Sequence, residues 1–404
     1  MNQRLALRAL VAVVLGASAS SLSAQTPFEK DISVDWLVPS GLPSPASLAR
    51  DPSTGVIFAS SLFNKNGPGK KTDIHRVQPD GTVELFTNPL HDPDVLAMDS
   101  SGFIYVGAYS GRITRIDPVS GAQTVWVHDG ALGNVDGLAF RADGDLLVSA
   151  IDHSRIHLVD GTTQTVTEFA DLDSLNAFGF GSIALHGSAV YVAAPKDGFI
   201  AQLDGDGSIT NGSFRSGFAH VGQLAVDGDI LYASDNPAGA ICKIDLTGAG
   251  PDSILVLGIP EYSGGFLAVG NGDFYGSWQA GDLSDGGIYR IRPMTLSMAQ
   301  PPAVGGTWEL DLDSPSDAGR GLFTILGITT GDIPLPDGRS IPANLVPGTY
   351  LFLRGSFDAD GHWDLDFAVP DNNLLADLTV WANSISMQDG FFAISSALPI
   401  TILP

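Results

Sequence analysis

Short apolar runs separated by polar turns dominate the chain, and many of those turns are Asp-Gly, Asn-Gly or Ser-Gly. Alternation with a period of two, interrupted by turn residues, predicts strands rather than helices. One unit recurs about every 40 residues: an apolar strand, a turn, and a second strand rich in Tyr, Val and Ile. It is clearest in Asp94-Val-Leu-Ala-Met, Gly102-Phe-Ile-Tyr-Val-Gly-Ala-Tyr109, Gly111-Arg-Ile-Thr-Arg-Ile-Asp117 and Gln123-Thr-Val-Trp-Val127. The next unit repeats it as Asp136-Gly-Leu-Ala-Phe, Asp143-Gly-Asp-Leu-Leu-Val-Ser, Arg155-Ile-His-Leu-Val-Asp160 and Thr163-Gln-Thr-Val-Thr-Glu-Phe169. A fixed period of this length marks a repeat architecture with four strands per unit.

Counting strands carries the prediction further. Inner sets start near Ala46, Asp94, Asp136, Gly181, Gly222 and Gly264, which makes six. Outer strands fall near Val83–Phe86, Thr124–Val127, Val166–Phe169, Ser208–Phe214 and Ile254–Leu257, which makes only five. The sixth set ends at Ile288-Tyr-Arg-Ile-Arg292 against Pro293, whereas Ile32-Ser-Val-Asp-Trp-Leu-Val38 precedes the first set and alternates as a strand does. The expected fold is therefore all-β: a six-bladed β-propeller over residues 25–296 in which the N-terminal strand completes the last blade. Pairing the two ends in one blade removes the exposed edges of an open array. Past Pro301-Pro302 the repeat stops. Strands such as Trp308-Glu-Leu-Asp-Leu312, Tyr350-Leu-Phe-Leu-Arg354 and Leu378-Thr-Val-Trp-Ala-Asn383 predict a β-sandwich over residues 297–404, with residues 397–402 as its last strand.

The N-terminus has a different pattern. Arg4 and Arg8 precede an apolar run from Ala9 to Ala17, and small residues end at Leu22-Ser23-Ala24. This predicts a signal peptide, residues 1–24, and a secreted, periplasmic or cell-surface destination. No later run is long and apolar enough to span a membrane.

Charge narrows the partners. With 20 basic and 45 acidic residues the formal charge is −25, and loss of Arg4 and Arg8 with the signal peptide takes it to −27. Nucleic acid and anionic membranes are excluded as partners by that balance. The single cysteine, Cys242, excludes an internal disulfide, so hydrophobic cores must hold the fold. The chain is expected to be a monomer. It contains no Gly-x-Ser-x-Gly elbow, His-Glu-x-x-His motif, phosphate loop or cysteine pair.

The run Gly137-Leu-Ala-Phe-Arg-Ala-Asp-Gly-Asp-Leu-Leu-Val-Ser149, followed by Arg155-Ile-His-Leu-Val-Asp160, resembles an NHL repeat. It also resembles a blade of the gluconolactonase (senescence marker protein) family, over roughly residues 31–293. NHL propellers mostly bind, whereas the gluconolactonase family opens sugar lactones with a divalent cation in its channel. The tail resembles small C-terminal β-modules of exported planctomycete-type proteins through Ile333-Pro-Leu-Pro336 and Ser396-Ala-Leu-Pro-Ile-Thr-Ile402.

The gluconolactonase resemblance implies a Glu on the first inner strand, but Ser44-Pro-Ala-Ser-Leu-Ala-Arg-Asp51 contains none. Its Asn positions at later inner-strand starts are matched by Asp94 and Asp136, and Asp152 and Asp235 sit where second strands end. Asp94, Asp136 and Asp152 are thus candidate ligands for calcium, provided water or carbonyls complete the shell. The alternative is that these aspartates cap turns. With a cation present, His153 would serve as general base for an activated water. Phe63, Tyr109, Trp278 and Gln279 occupy loops of the same class as Asp152, and with His153 and Asp235 they form a candidate ligand rim. Such a rim suits a small molecule, a glycan or a protein segment. Three functions stay open: a binding propeller without assigned catalysis, a cation-dependent lactonase or esterase, and a structural cell-surface protein.

Overall fold

The computed structural model describes residues 31–61, 71–91, 93–236, 238–249, 252–256, 265–269, 273–279, 285–298, 301–328, 333–334, 340–342, 350–369, 371–372, 374, 376–387 and 392–404. It forms two compact units, Trp36–Arg290 and a second that comprises Ile291–Pro404 together with residues 31–35.

Among the described residues there are six four-stranded sheets, five wholly within the first unit and the sixth for the most part. In sheet 1 the order from the inside is Pro45–Arg50, Ile57–Ser61, Lys71–Val77 and Val83–His91. Sheet 2 runs Pro93–Met98, Ile104–Ala108, Arg112–Ile116 and Gln123–His128, and sheet 3 runs Val135–Phe140, Leu146–Ala150, Arg155–Val159 and Val166–Asp171. Sheet 4 comprises Ile183–His186, Ala189–Ala194, Phe199–Leu203 and Ile209–Ser216, and sheet 5 comprises Val221–Asp227, Ile230–Asp235, Ala240–Asp245 and Ser253–Val256. Sheet 6 places Phe266–Val269 innermost, then Asp273–Gln279 and Gly286–Pro293, with Ile32–Val38 outermost. The N-terminal strand therefore lies where the count of outer strands put it. Each inner strand lies against the next, and the sixth returns to the first, which closes the ring of a β-propeller.

Apolar side chains between successive sheets hold the ring. Phe58, Ile74, Leu96 and Ile104 pack sheet 1 on sheet 2, and Tyr105, Ile113, Leu146 and Val148 pack sheet 2 on sheet 3. Leu147, Val190 and Ala201 join sheets 3 and 4; Tyr191, Leu231 and Ile244 join sheets 4 and 5. Tyr232 meets Phe274 edge to face at 4.2 Å between sheets 5 and 6, and Leu48 with Ile288 closes sheet 6 onto sheet 1.

Buried serines fasten the inner strands. Ser60, Ser149, Ser234 and Ser277, all fully buried, occupy matching places on second strands. Ser60 Oγ accepts from the Ser47 amide (3.1 Å) and donates to the Asp94 carbonyl in sheet 2 (3.3 Å). Ser277 Oγ accepts from the Gly265 amide (2.8 Å) and donates to the Pro45 carbonyl across the closing seam (3.0 Å). Sheet 2 has Gly107 instead, because a Cβ there would lie 2.4 Å from Val135 Cγ1.

In the second unit, Thr295–Ser297, Thr307–Asp313 and His362–Ala368 form one sheet. Tyr350–Ser356, Gly321–Gly327, Thr379–Met387 and Phe392–Ile394 form another, in which Leu398–Thr401 also pairs with Thr379–Met387. Trp308 and Leu310 from the first bury against Leu326, Ala382 and Ile400 from the second. Trp308 is thus a core residue. No helix among the described residues is long and apolar enough to cross a membrane.

Candidate functional site

Inner strands start where second strands end, so both converge on one face of the ring: Pro93 pairs with Ala108, Val135 with Ala150 and Val221 with Asp235. At that face the pairing register skips between Pro45 and Ser47, between Pro93 and Val95, and between Val135 and Gly137. Such bulges leave one residue unopposed and re-aim its side chain. The bulged residues of three successive sheets are Ala46, Asp94 and Asp136. At the bulge of the first inner strand the residue is the buried Ala46, so that strand brings no acid to this place.

The two re-aimed aspartates meet. Asp136 and Asp94 are joined by a side-chain hydrogen bond, and the surrounding protein pushes the Asp136 carboxyl up to about 6, because loss of solvation penalises its ionised form more than the bond to Asp94 favours it. Two carboxyl groups this close titrate as a pair, and below about pH 6 they hold a proton between them. Asp136 Oδ2 also faces the Cα of Gly181 in the segment leading to sheet 4: a Cβ on Gly181 would lie 2.6 Å from it and 3.0 Å from Pro195 Cγ. Along the axis the inner strands enclose a cavity of about 340 Å³, to which Ser47, Arg50, Met98, Phe140, Ser182 and Gln223 contribute.

The other aspartates expected at the site are turned to backbone. Asp152 Oδ1 accepts from the Asn134 amide (3.0 Å), and Asp235 accepts from the Ala219 and His220 amides (both 3.1 Å). Asp197 does the same for Phe178 (2.9 Å). Each carboxylate pins the segment that leads into the inner strand of its own sheet, so turn capping accounts for Asp152 and Asp235. Among the described residues no three His, Cys, Asp or Glu side chains converge to hold a metal. Asp152 therefore does not complete a calcium shell with Asp94 and Asp136. Calcium takes six to eight oxygens, and of the three expected ligands only Asp94 and Asp136 come together at this face.

His153 Nε2 stands 3.9 Å from Asp152 Oδ1, its ring meets His157 edge-on at 5.9 Å, and its Nδ1 is buried against the loop. Burial, with His153 as a secondary cause, holds His157 below the usual histidine range. Tyr109 stands at the face, 39% exposed. Trp278 packs edge-to-face on Trp36 at 6.3 Å, and Gln279 is buried with Nε2 donating to the Pro45 carbonyl (2.9 Å). Trp278 thus holds sheet 6 to its outermost strand, and Gln279 ties it to sheet 1. Phe63 lies outside the described residues.

Two residues at this face escaped the sequence reading. Phe178 is 60% exposed, and Lys196 Nζ sits 3.4 Å from its ring centroid. Lys196 also contributes, after burial, to holding His220 below the usual histidine range. The only local hint was the Phe178-Gly-Phe-Gly181 run, in which Phe180 is fully buried.

No protein-family model and no curated protein matches the chain. Among solved structures it is similar to a gluconolactonase from Xanthomonas campestris, with 15% identity, TM-score 0.52, and coverage of 65% of this chain and 90% of that one. A putative gluconolactonase gives 13%, TM-score 0.51, and 66% and 94%. An auxiliary nutrient-binding protein from Bacteroides thetaiotaomicron gives 12%, TM-score 0.50, and 65% and 76%. At these identities the likeness establishes the propeller fold, in keeping with the resemblance in the repeats, and it leaves activity to the site.

Proposed function

We propose that the chain is an exported propeller that binds a small hydrogen-bonding molecule at the mouth of its channel, with the Asp94–Asp136 pair as the recognition group. The observation that carries this reading is the pairing of two acids, from bulges of adjacent sheets, above an axial cavity. A half-protonated pair both donates and accepts hydrogen bonds while carrying less charge than two free carboxylates. It therefore suits hydroxyl and carbonyl groups of a neutral ligand. Saturation-transfer NMR with a panel of neutral metabolites tests it. Binding by the wild type that falls about tenfold or more in Asp136→Ala, which removes both the donor and the acceptor, supports the reading, and equal binding by the two proteins overturns it.

The rise of the Asp136 carboxyl to about 6 favours a second reading, a hydrolase. A carboxyl titrating near neutrality is suited to take a proton from an attacking water and return it to a leaving oxygen. Both steps would use the same pair. Turnover of lactones and aryl esters, absent in Asp136→Asn, would establish it; a flat substrate panel leaves binding alone.

A further inference from the structure

We infer that the C-terminal unit is a clasp on the closing strand of the propeller. It grips the residue before Ile32–Val38 through the residue after Gly286–Pro293 and through Ile394 and Ser396, and so holds the outer half of sheet 6 shut.

A closing strand needs such a hold. Ile32–Val38 lies outermost in sheet 6 and pairs on one side only, with Gly286–Pro293. Its second half is well packed: Val38 is buried with Leu48 and Ile288, and Trp36 meets Trp278 and Tyr289 edge to face at 6.3 and 6.2 Å. A strand held by a single neighbour frays from its other end unless that end is tied down.

Asp31 is the tie. Its amide donates to the Ile394 carbonyl (2.9 Å), and its carbonyl accepts from the Met294 amide (2.8 Å). Its carboxylate accepts from both the amide and the hydroxyl of Ser396. Every polar group of Asp31 is thus engaged by residues far along the chain. To reach them the residue adopts a φ of 63°, a left-handed backbone that most side chains avoid and Asp tolerates. An unfavourable conformation persists where its surroundings hold it in place, and here four hydrogen bonds do so.

The partners of Asp31 are fixed from within the second unit, to which Asp31 itself belongs although its strand runs on into the first. Met294 is buried with Leu312, Leu322, Phe357 and Ala393, so the third strand of sheet 6 leads directly into that core. Ser395 is fully buried. Its amide donates to the Ser384 carbonyl (2.9 Å), its Oγ accepts from the Ser384 amide (2.7 Å), and its carbonyl accepts from Asn383 Nδ2 (3.0 Å). Ile394 and Ser396 flank Ser395 and therefore meet Asp31 from a rigid mount. Sheet 6 stays closed only while the second unit is folded.

Hydrogen–deuterium exchange read by peptide mass spectrometry on the full chain tests the clasp, with wild type compared to Asp31→Ala, Asp31→Asn and Ser395→Ala. Alanine loses the carboxylate and is strained at this φ, whereas asparagine tolerates the backbone and keeps one oxygen. Ser395→Ala acts through the second unit alone, since the hydrogen bonds of Ser395 run to Asn383 and Ser384. Amides of residues 32–38 should exchange about 3- to 30-fold faster in Asp31→Ala, as expected for one or two lost hydrogen bonds. They should exchange faster by a smaller factor in Asp31→Asn, and faster again than wild type in Ser395→Ala, while the inner strands of sheets 2, 3 and 4 keep the wild-type rate. If Ser395→Ala fails to fold, Ser396→Ala, at an exposed position, takes its place. Wild-type exchange at residues 32–38 in both Asp31→Ala and the serine variant overturns the inference, and so does equal acceleration in all six sheets. Acceleration in Asp31→Ala alone removes the second unit from the device, and acceleration in the serine variant alone removes Asp31 as the point of attachment; either result overturns the clasp.

Discussion

Replacing Asp136 by Asn should stabilise the protein at neutral and alkaline pH. The Asp136 carboxyl rises from 3.8 to about 6 on folding, so the folded state holds a proton that the unfolded chain releases. Stability from this group is therefore complete below about pH 3.8 and declines as the pH climbs through 6. At about 1.4 kcal/mol per pH unit the total comes to about 3 kcal/mol, an upper value, because Asp94 shares the proton and water reaches the group from the channel. Asparagine copies the protonated form: its amide can donate to Asp94 and it cannot ionise. Wild type and Asp136→Asn should thus unfold together near pH 4 and diverge toward pH 8, where the variant is more stable by up to about 3 kcal/mol. For a unit of this size that corresponds to a Tm gain of up to about 10 °C. Urea denaturation and thermal melts of both proteins at pH 4, 6 and 8 measure it. A difference of the same size at every pH, or a variant that is the weaker protein at pH 8, would refute the reasoning.

Ser277→Ala should cost about 1–3 kcal/mol in urea denaturation, because it strands the buried Gly265 amide at the seam between sheets 6 and 1; a change of a few tenths would show that the seam does not depend on it. Burial pushes the Cys242 thiol up to about 12, so it should resist a thiol reagent at pH 8 in the native protein and react on unfolding. The Asp313 hydrogen bond at 2.8 Å raises His362 above its usual range, so its stabilisation is full below about pH 6.5 and fades as the pH rises through the raised value. Asp313→Asn should lower the His362 titration midpoint followed by NMR; an unchanged midpoint would exclude the pairing.

The strand count was legible in the chain because alternation and turn chemistry act over a few residues, and each unit repeats both. The same arithmetic assigned Ile32–Val38 to the outermost position of sheet 6. Asp94 and Asp136 were legible as equivalent positions one repeat apart, but their meeting depends on bulges that the linear pattern does not display. Asp152 and Asp235 show the limit. Each follows a second strand as a channel ligand would, yet the carboxylates turn to the amides of Asn134, Ala219 and His220, since a neighbouring loop offers unpaired N–H groups there. Phe178 and Phe180 share one short run, and only the packing of sheet 4 against sheet 3 decided which ring is buried and which is exposed. Local sequence determined the strands of this protein and their number; contacts between sheets, which join residues far apart in the chain, decided where the side chains of the site point.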